Sequence, residues 1–599
     1  MSTSERKQSA AAPSPIVELA RRDPAAAAIQ LRSITARNPK DAGAHRMLGR
    51  VLRQIGRNDE AARAEMAAIR ATAHDPEMIA IAQTMMANDL PAAEARLRAR
   101  LSSQPTDVAA IRMMAELAGR LGRYRDSENL LRRALELAPS FTAAQANLAM
   151  VLYKQSRYGE AGEVLEQVLA QDPANSGSRN LLAATLGRIG DYDEALVIYG
   201  ELTRTFPDHA KLWMSYGHML KTVGRLDDSI AAYRRALAVE PHLGEVWWSL
   251  ANLKTVKFSD ADIAAMEAAL GAEVSAEDAF HLHFALGKAW GDRSSPAESF
   301  RHYAAGNELR SRELAYEPEM TTRQVDRMIA VLTPEFLTQR LGLGDQTPDP
   351  IFILGLPRAG STLLEQILSS HSAIEGTMEL PDIPAIAMRE AKAAGGDLRD
   401  WPRAVAEMAP PRFAELGAEF LERTAVQRKT GKPFYVDKLP NNWSYAGFIH
   451  LILPNAKIID ARRNPMDCCF SNFRQHFAKG QAFSYSLDHI GRYYAEYVRA
   501  MDHYDRVLPG RLHRVIHERL LDDPEAEVRA MLDYLGLPFE EACMEFHRNT
   551  RAVRTASSEQ VRRPINRDGM GQWEPYAQWL GPLRAALGDL VETYADRPE

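Results

Sequence analysis

The chain has 599 residues, a length at which one hydrophobic core usually gives way to two or more domains. Its 46% hydrophobic and 25% charged residues are typical of a soluble globular protein. The formal net charge of -6 lacks the basic excess of proteins that bind nucleic acids non-specifically, so we expect no nucleic-acid partner.

The N-terminal residues 1–15 are polar and rich in alanine and serine, and we expect them to be disordered and not a signal peptide. No stretch approaches the ~18 consecutive apolar residues of a membrane span. The cysteines Cys468, Cys469 and Cys543 are too few for a disulfide framework and lack the neighbouring ligands of a metal site. These features predict a soluble, cytoplasmic protein without a metal.

Two series of residues in the first half recur at intervals of 34 residues. One consists of prolines and the other of small residues: Pro105, Pro139, Pro173, Pro207 and Pro241, and Gly122, Ser156, Gly190 and Gly224. The small residue tightens the turn between two helices, and the proline ends the second helix because it cannot continue the hydrogen-bond ladder. This period is typical of the tetratricopeptide helix–turn–helix unit, which stacks into an all-α solenoid.

The repeat pattern sets the predicted domain limits. We predict tetratricopeptide repeats over 16–277, regular over about 106–241, then a helical connector over 278–345 and a second domain over 346–599. A turn-rich sequence, GLGDQTPDP, motivates the last boundary. The concave face of such an array usually holds peptides or partner proteins, so we expect a protein or peptide partner. Formation of a homodimer stays open.

Directly after this break, the sequence predicts a strand over 351–354, a tight loop over Gly355–Gly360 and a helix. Backbone N–H groups and the helix dipole make such a segment a cradle for an anion. The nucleotide-triphosphatase motif G-x-x-x-x-G-K-[ST] is not reproduced, because Ser361 stands at the lysine position and the cation is inside the loop. The segment therefore predicts metal-free phosphate binding by Arg358, Ala359, Gly360, Ser361 and Thr362.

Three further apolar runs end in charged or polar residues. They end at Asp437-Lys438, at Arg462-Arg463 and at His517-Glu518. The alternation of strands and helices predicts a parallel sheet, and ligands of such sheets lie at the carboxyl ends of the strands. We therefore expect Lys438 and Arg463 to converge on the loop.

The sequence PRAGSTLL resembles the P-[RK]-[SA]-G-[ST]-T loop with which sulfotransferases hold the 5′-phosphosulfate of 3′-phosphoadenosine-5′-phosphosulfate (PAPS). Arg463-Asn464-Pro465 followed by Ser471 resembles a second family element, whose arginine and serine bind the 3′-phosphate. The resemblance spans roughly Asp349 to Trp573 and is strongest to tyrosylprotein sulfotransferases. It implies an α/β P-loop-like domain with a parallel sheet after the all-α solenoid, and PAPS-dependent sulfuryl transfer.

The same resemblance implies which residues perform the transfer. Glu379 corresponds to a glutamate that removes the acceptor's proton, and Glu375 is the alternative in a shifted alignment. Lys438 corresponds to a lysine that neutralises the bridging oxygen, and Ser557 to a serine near the sulfuryl group. With Arg358, these are the implied catalytic residues. The sequence LPN follows Lys438 where small-molecule sulfotransferases have a histidine, which favours Glu379 as the base.

Two departures from the family pattern leave donor affinity open. Gln572 replaces a lysine that contacts the nucleotide, and His517 replaces a tyrosine near the adenine; compensation by Arg562, Arg563 and Arg567 is equally open. The repeats and the resemblance favour a tyrosine-like hydroxyl on a protein or peptide acceptor, while saccharide, lipid and small-alcohol acceptors stay open. Two other functions also stay open: a repeat-based adaptor with a vestigial transferase domain, and a P-loop kinase.

Overall fold

The computed structural model describes residues 15–397, 399–477, 480–553, 555, 558 and 560–596. They form two compact units that divide between Arg188 and Ile189. The 34-residue pattern continues past this division to Pro241, so repeats occur in both units. The domain limits predicted from the sequence at residues 277 and 345 stay predictions.

The first unit consists of helices that pair as hairpins. Glycines with positive φ, such as Gly56 (77°) and Gly122 (72°), make the turns within the pairs. Aspartates cap several helices, as Asp41 does by accepting a hydrogen bond from the backbone N–H of Ala44 (2.8 Å). The helices are α1 (Pro15–Arg22), α2 (Pro24–Arg37), α3 (Ala42–Gln54), α4 (Asn58–Ala73), α5 (Pro76–Met86), α6 (Leu90–Ser103), α7 (Val108–Arg120), α8 (Tyr124–Leu137), α9 (Thr142–Lys154), α10 (Tyr158–Gln171) and α11 (Ser176–Ile189).

The second unit begins with further helices of the same kind. Gly224 (φ 81°) again turns the chain between the paired helices α13 and α14. These helices are α12 (Tyr192–Thr205), α13 (Ala210–Thr222), α14 (Leu226–Val239), α15 (Gly244–Asn252), α16 (Asp260–Leu270), α17 (Ala276–Asp292), α18 (Pro296–Leu314), α19 (Pro318–Val331) and α20 (Pro334–Gln339).

A parallel sheet follows in the order β2–β3–β1–β4–β5. The strands are β1 (Pro350–Gly355), β2 (Ile374–Gly376), β3 (Phe434–Lys438), β4 (Lys457–Arg462) and β5 (Leu512–Ile516). The central strand β1 is buried along its whole length, as expected when helices cover both faces. Since all neighbours run parallel, the ends of β1, β3 and β4 meet at one edge. The predicted fold, an all-α solenoid followed by an α/β domain with a parallel sheet, is confirmed.

The connections of the sheet are mostly helical. The α-helices are α21 (Ser361–Ser369), α22 (Asp382–Ala393), α23 (Trp401–Ala406), α24 (Pro410–Thr424), α25 (Ala446–Ile452), α26 (Pro465–Phe473), α27 (Leu487–Val507), α28 (His517–Asp522), α29 (Pro524–Leu535), α30 (Gly581–Leu587) and α31 (Leu590–Thr593). Short 3-10 helices span Ala425–Gln427, Pro440–Tyr445, Ala482–Tyr485, Glu541–Cys543, Phe546–Arg548, Gln560–Arg562 and Glu574–Trp579.

Two hydrophobic clusters cover the faces of the sheet. Ile351 and Ile353 pack into a cluster with side chains of α21 and α29, such as Ile367. The alternate residues of β1, such as Phe352, belong to a larger cluster that also contains Trp247 of α15. The repeats after residue 189 therefore share a hydrophobic core with the sheet. Among the described residues, we find no helix with the length and apolar character that crossing a membrane requires.

Candidate active site

At two positions of the loop between β1 and α21, neighbouring atoms leave no room for a side chain. A Cβ atom on Gly355 (φ 139°) would lie 2.3 Å from the carbonyl oxygen of Ala461 in β4. A Cβ atom on Gly360 (φ 97°) would lie 2.7 Å from Nδ1 of His517. Arg358 also has a positive φ, of 69°. The two glycines therefore let the loop turn tightly above the edge of the sheet.

Helix α21 presents its N-terminus at the end of this loop. Gly360 is the N-cap residue and supplies no side-chain cap. Among the described residues, the backbone N–H groups of Ser361 and Thr362 have no partner and can bind an anion, whereas that of Leu363 donates to the carbonyl oxygen of Gly360 (2.9 Å). Ala359, Ser361 and Thr362 are buried there. The hydroxyl of Thr362 donates a hydrogen bond to Oγ1 of Thr555 (3.3 Å), which brings the C-terminal segment to the loop.

Arg358 reaches from the loop to α26. Its Nε donates a hydrogen bond to Oγ of Ser471 (3.0 Å), and its Nη2 donates one to Oε1 of Gln560 (3.3 Å). The loop cation and the helix serine, which the sequence assigned to different phosphate groups, are thus in direct contact. An anion at this point is within reach of both side chains.

Arg463 follows β4 and lies beneath the loop. Its Nη1 donates to the carbonyl oxygen of Arg358 (3.0 Å), and its Nη2 donates to the carbonyl of Gly569. The nearest carboxylate, that of Asp467, lies 3.9 Å away. Its Nε is buried and has no hydrogen-bond partner among the described residues. A buried donor without a partner destabilises the protein unless a ligand accepts a hydrogen bond from it.

These arginines form a cationic cluster with Arg474, which follows α26. Burial, together with Arg463 and Arg474, lowers the pKa of Arg358 to about 10. Cations held close to one another repel, and a bound anion relieves that repulsion. The cluster, the buried Nε of Arg463 and the uncapped N–H groups at the start of α21 therefore fit a phosphate or phosphosulfate group.

Lys438 ends the neighbouring strand β3 and pairs with Glu379. Its Nζ donates a hydrogen bond to Oε1 of Glu379 across 2.5 Å. The side chain of Lys438 is 1% exposed and that of Glu379 is 43% exposed, so solvent reaches the pair from the carboxylate side. Buried Glu365 of α21 lies on the other side, with Oε2 3.9 Å from Nζ of Lys438. The pair thus offers a proton acceptor to a ligand from solvent and a cation beside it.

Arg551 holds this pair in place through three contacts. Its Nη2 lies 2.6 Å from Oε1 of Glu365, and its Nε donates to Oε1 of Gln366 (2.9 Å), both in α21. Its Nη1 donates to the carbonyl oxygen of Thr377 (3.1 Å), two residues before Glu379. One guanidinium group therefore joins the segment that carries Glu379 to α21.

The carboxylate of the alternative base is bound to backbone N–H groups. Glu375, the alternative base, accepts hydrogen bonds from the backbone N–H groups of Lys429 and Thr430 (2.5 and 2.8 Å), and its side chain is buried. Its Oε1 thus joins β2 to the loop after the 3-10 helix Ala425–Gln427, while its Oε2 is buried without a hydrogen-bond partner among the described residues. Ser557 lies outside the described residues. The other predicted residues form two sets at adjacent strand ends: the loop with Arg463 and Ser471, and Glu379 with Lys438.

The two departures from the family pattern adjoin the cationic cluster. His517 faces Gly360, and burial together with Arg463 lowers its pKa to about 3, so its ring is neutral. Gln572 accepts a hydrogen bond from Nη2 of Arg474 through Oε1 (2.5 Å). In the described part of the chain, no three His, Cys, Asp or Glu side chains form a group that could hold a metal ion.

Three residues of the site were missed in the sequence: Arg474, Glu365 and Arg551. Arg474 lies three residues after Ser471, a spacing that places both on one side of a helix, and this signal could have found it. Glu365 is a glutamate within an apolar helix pattern, which is a weak signal of a buried partner. Arg551 follows a 3-10 helix in a segment without periodicity, and no signal in the sequence identifies it.

Comparison with known proteins gives matches for both parts of the chain. Residues 350–541 match the model of the sulfotransferase family. Tetratricopeptide-repeat models match residues 16–76, 112–176, 152–218 and 210–243.

Relatives are distant and are covered only in part. An uncharacterized protein of Aquifex aeolicus (strain VF5) is 33% identical over 342 residues, which are 55% of this chain and 44% of that protein. The protein-tyrosine sulfotransferase of Drosophila melanogaster is 23% identical over 261 residues, 41% of this chain and 49% of that protein. A putative protein-tyrosine sulfotransferase of Caenorhabditis briggsae is 22% identical over 231 residues, 37% of this chain and 80% of that protein. The chain thus spans less than half the length of the first two.

Solved structures are matched over the repeats. A MamA fragment from Desulfovibrio magneticus RS-1 is 18% identical, with a TM-score of 0.26, over 28% of this chain and 93% of that structure. YrrB, described as a TPR protein with an unusual peptide-binding site, is 16% identical, with a TM-score of 0.24, over 35% of this chain and 92% of that structure.

The family matches coincide with the architecture and with the site. The tetratricopeptide models fall on the paired helices. The sulfotransferase model covers the parallel sheet, the anion cradle and the Lys438–Glu379 pair. The chain therefore carries tetratricopeptide repeats followed by a domain that belongs to the sulfotransferase family.

Proposed function

We propose that this chain transfers a sulfuryl group from PAPS to a hydroxyl group of a protein or peptide acceptor. The observation that carries the proposal is the contact between Lys438 and Glu379 beside the arginine-rich cradle of a sulfotransferase-family domain. When a hydroxyl group attacks a phosphosulfate, a carboxylate is needed to accept its proton and a cation to stabilise the leaving phosphate. The solvent-exposed Glu379 and the buried Lys438 can supply these two groups.

The donor is proposed to bind along the loop and α26. The backbone of Ala359 and Gly360 and the start of α21, at Ser361 and Thr362, would hold the 5′-phosphosulfate, with Arg358. Arg463 and Ser471 would hold the 3′-phosphate. The role of Arg463 is supported by its buried Nε, which has no hydrogen-bond partner among the described residues and whose guanidinium group is held by the carbonyl oxygens of Arg358 and Gly569. No metal is required in this scheme.

The transfer exchanges one sulfur–oxygen bond for another. Glu379 accepts the proton of the acceptor hydroxyl while that oxygen bonds to sulfur, and the bond from sulfur to the bridging oxygen breaks. The electron pair stays on the departing phosphate of adenosine 3′,5′-bisphosphate, whose charge Lys438 and Arg358 stabilise. Ser557 is proposed to contact the sulfuryl group.

The acceptor is proposed to be a tyrosine-like side chain, by analogy with the protein-tyrosine sulfotransferases that the chain resembles. The repeats would recruit the acceptor or a partner, since such arrays bind extended chains. A cytoplasmic location is part of the proposal, in keeping with three buried, unpaired cysteines.

The test is to incubate the purified chain with ³⁵S-labelled PAPS and a cell lysate, and to identify what becomes labelled. We expect label in proteins or peptides, and no label with a Glu379→Gln variant. Calorimetry with adenosine 3′,5′-bisphosphate tests the donor independently, and absence of binding would favour the adaptor function. Magnesium-dependent turnover of ATP without any transfer from PAPS would favour a kinase.

A further inference from the structure

The segment that carries Glu379 belongs to no helix or strand, since residues 377–381 lie between β2 and α22. Its position therefore depends on single contacts with neighbouring elements. The hydroxyl of Thr377 donates a hydrogen bond to the carbonyl oxygen of Val436 (2.6 Å). Nη1 of Arg551 donates another to the carbonyl oxygen of Thr377 (3.1 Å). Whatever fixes these contacts also fixes the carboxylate of Glu379, and proton transfer depends steeply on such geometry.

A chain of two contacts links β2, just before this segment, to the helical repeats. Oε1 of Glu375 accepts a hydrogen bond from the backbone N–H of Lys429 (2.5 Å). The side chain of the same lysine reaches Asp191, with Nζ 2.9 Å from Oδ1. Asp191 is the N-cap residue of α12, but its side chain makes no capping hydrogen bond. Its carboxylate therefore binds the transferase domain and not its own helix.

A second contact with the repeats lies at the end of the next helix, α13. The carbonyl oxygen of Thr222 accepts a hydrogen bond from the backbone N–H of Val553 (3.1 Å). Val553 is buried, and Arg551, two residues before it, is the residue that holds Thr377. Both contacts lie within the second compact unit. The repeats thus adjoin the Glu379 segment from two directions.

The exposure of the ion pair limits its effect on overall stability. The side chains of Asp191 and Lys429 are 39% and 40% exposed, so water screens their attraction. The effect on geometry is more direct, because the backbone N–H of the same lysine binds Glu375. A displaced lysine side chain therefore also moves the donor of that hydrogen bond. Glutamine at position 375 would keep the accepting oxygen, so this link requires the acceptor and not its charge.

We propose that Asp191 is a positioning residue for Glu379. Its ion pair holds the loop that binds β2, and β2 in turn fixes where the segment of Glu379 begins. The helical repeats are then part of the catalytic structure, besides any recruitment of an acceptor. This inference rests on the proposed function, in which Glu379 accepts the proton of the acceptor hydroxyl.

Hydrogen–deuterium exchange of the full-length chain tests the structural step without an acceptor. Asp191→Lys places two like charges together, and we expect the backbone amides of residues 374–380 to exchange about threefold faster. The control is Asp193→Lys, the same change two residues further along, at an exposed carboxylate that forms no ion pair with a described residue. It should exchange like wild type. The double variant Asp191→Lys with Lys429→Asp exchanges the two charges and should restore the wild-type rates.

Transfer of ³⁵S from PAPS to a copolymer of glutamate and tyrosine tests the catalytic step. Asp191→Lys should lower kcat about fivefold and leave affinity for adenosine 3′,5′-bisphosphate within about twofold of wild type. In a Glu379→Gln background the same substitution should have no further effect, because the base through which it acts is absent. A general loss of stability would instead lower activity in both backgrounds.

If Asp191→Lys matches wild type in either exchange or kcat, the role of Asp191 is refuted and the proposed function stands. A loss of kcat that persists in the Glu379→Gln background also refutes it, because the effect would not pass through Glu379. If the wild-type chain transfers no label, it is the proposed function that fails. The exchange rates of residues 374–380 then decide alone whether Asp191 holds the segment.

Discussion

The ammonium group of Lys438 lies 2.5 Å from Oε1 of Glu379, with the lysine buried and the glutamate open to solvent. The two residues come from the end of β3 and from the segment after β2, adjacent strands of the parallel sheet. A ligand that approaches from solvent therefore meets the carboxylate before the ammonium group. This arrangement suits a general base that meets the ligand first and a cation behind it that is shielded from water.

Replacing Glu379 by glutamine should lower kcat by about 10²- to 10⁴-fold, because the amide cannot accept the acceptor's proton. Affinity for adenosine 3′,5′-bisphosphate should stay within about threefold of wild type, as measured by calorimetry. Glu375→Gln is the matched control: it should reduce the melting temperature, through its contacts with residues 429 and 430, with little change in kcat. Unchanged turnover in Glu379→Gln would remove this residue from the role of base.

Replacing Arg358 by lysine should weaken binding of adenosine 3′,5′-bisphosphate by roughly tenfold or more. A lysine keeps the charge but cannot donate to Ser471 and Gln560 at once, as the guanidinium group does. Arg529→Lys, on α29 with Nε 2.9 Å from Glu525, makes the same change at a surface ion pair and should leave affinity unaltered. Equal affinities of Arg358→Lys and wild type would contradict the proposed donor site.

Replacing Arg551 by methionine should lower kcat about tenfold and leave the affinity for adenosine 3′,5′-bisphosphate within about threefold. The buried carboxylate of Glu365 would lose its 2.6 Å partner and compete with Glu379 for Lys438. The free energy of unfolding should fall by about 3 kcal/mol, because removing one member of a buried ion pair leaves the other charge buried without a partner. Kinetics and urea unfolding measure the two effects.

The double variant Arg551→Met with Glu365→Gln tests this explanation. Removing the second charge should recover part of both the stability and the turnover, a coupling that a double-mutant cycle detects. If the effects of Arg551→Met and Glu365→Gln on stability and turnover simply add in the double variant, the two residues are not coupled and this explanation is wrong.

Buried His450 should make the second unit less stable in acid. Burial, followed by Arg511, lowers its pKa to about 4, whereas the unfolded chain binds a proton near pH 6.5. Between these values the unfolded state holds more protons, so the free energy of unfolding falls as pH falls. From pH 7 to pH 5, wild type should lose about 1 to 2 kcal/mol more than a His450→Gln variant.

Tryptophan fluorescence during urea unfolding is the appropriate measurement, because every tryptophan lies between Trp213 and Trp579, in the second unit. His242→Gln, at an exposed histidine, is the control for the substitution itself. If His450→Gln and wild type show the same pH dependence of unfolding, His450 is not a cause of the loss of stability in acid.

Much of the architecture was predictable from spacing alone. The 34-residue proline and glycine series predicted the helix hairpins because both residue types act locally, one by ending a helix and the other by allowing a positive φ. The polar ends of apolar runs predicted that Arg358, Lys438 and Arg463 meet at one edge, because all strands of a parallel sheet end there.

Contacts between distant segments were not predictable in this way. Arg551 joins α21 to the segment of Glu379, a contact that depends on how whole elements pack. The direct contact of Arg358 with Ser471 was hidden for the same reason, since the motifs assigned them to separate phosphates. Local patterns specify elements, whereas these pairings arise from the tertiary fold.

The shared core of α15 and β1 has a consequence for how this chain can diverge. Inserting or deleting one repeat after residue 189 would shift Trp247 and its neighbours away from the sheet that they cover. The described residues of that core begin at Ala210, so a repeat gained or lost before residue 189 removes none of them. We therefore expect homologous chains to vary in the number of N-terminal repeats while the last ones keep a fixed length and register.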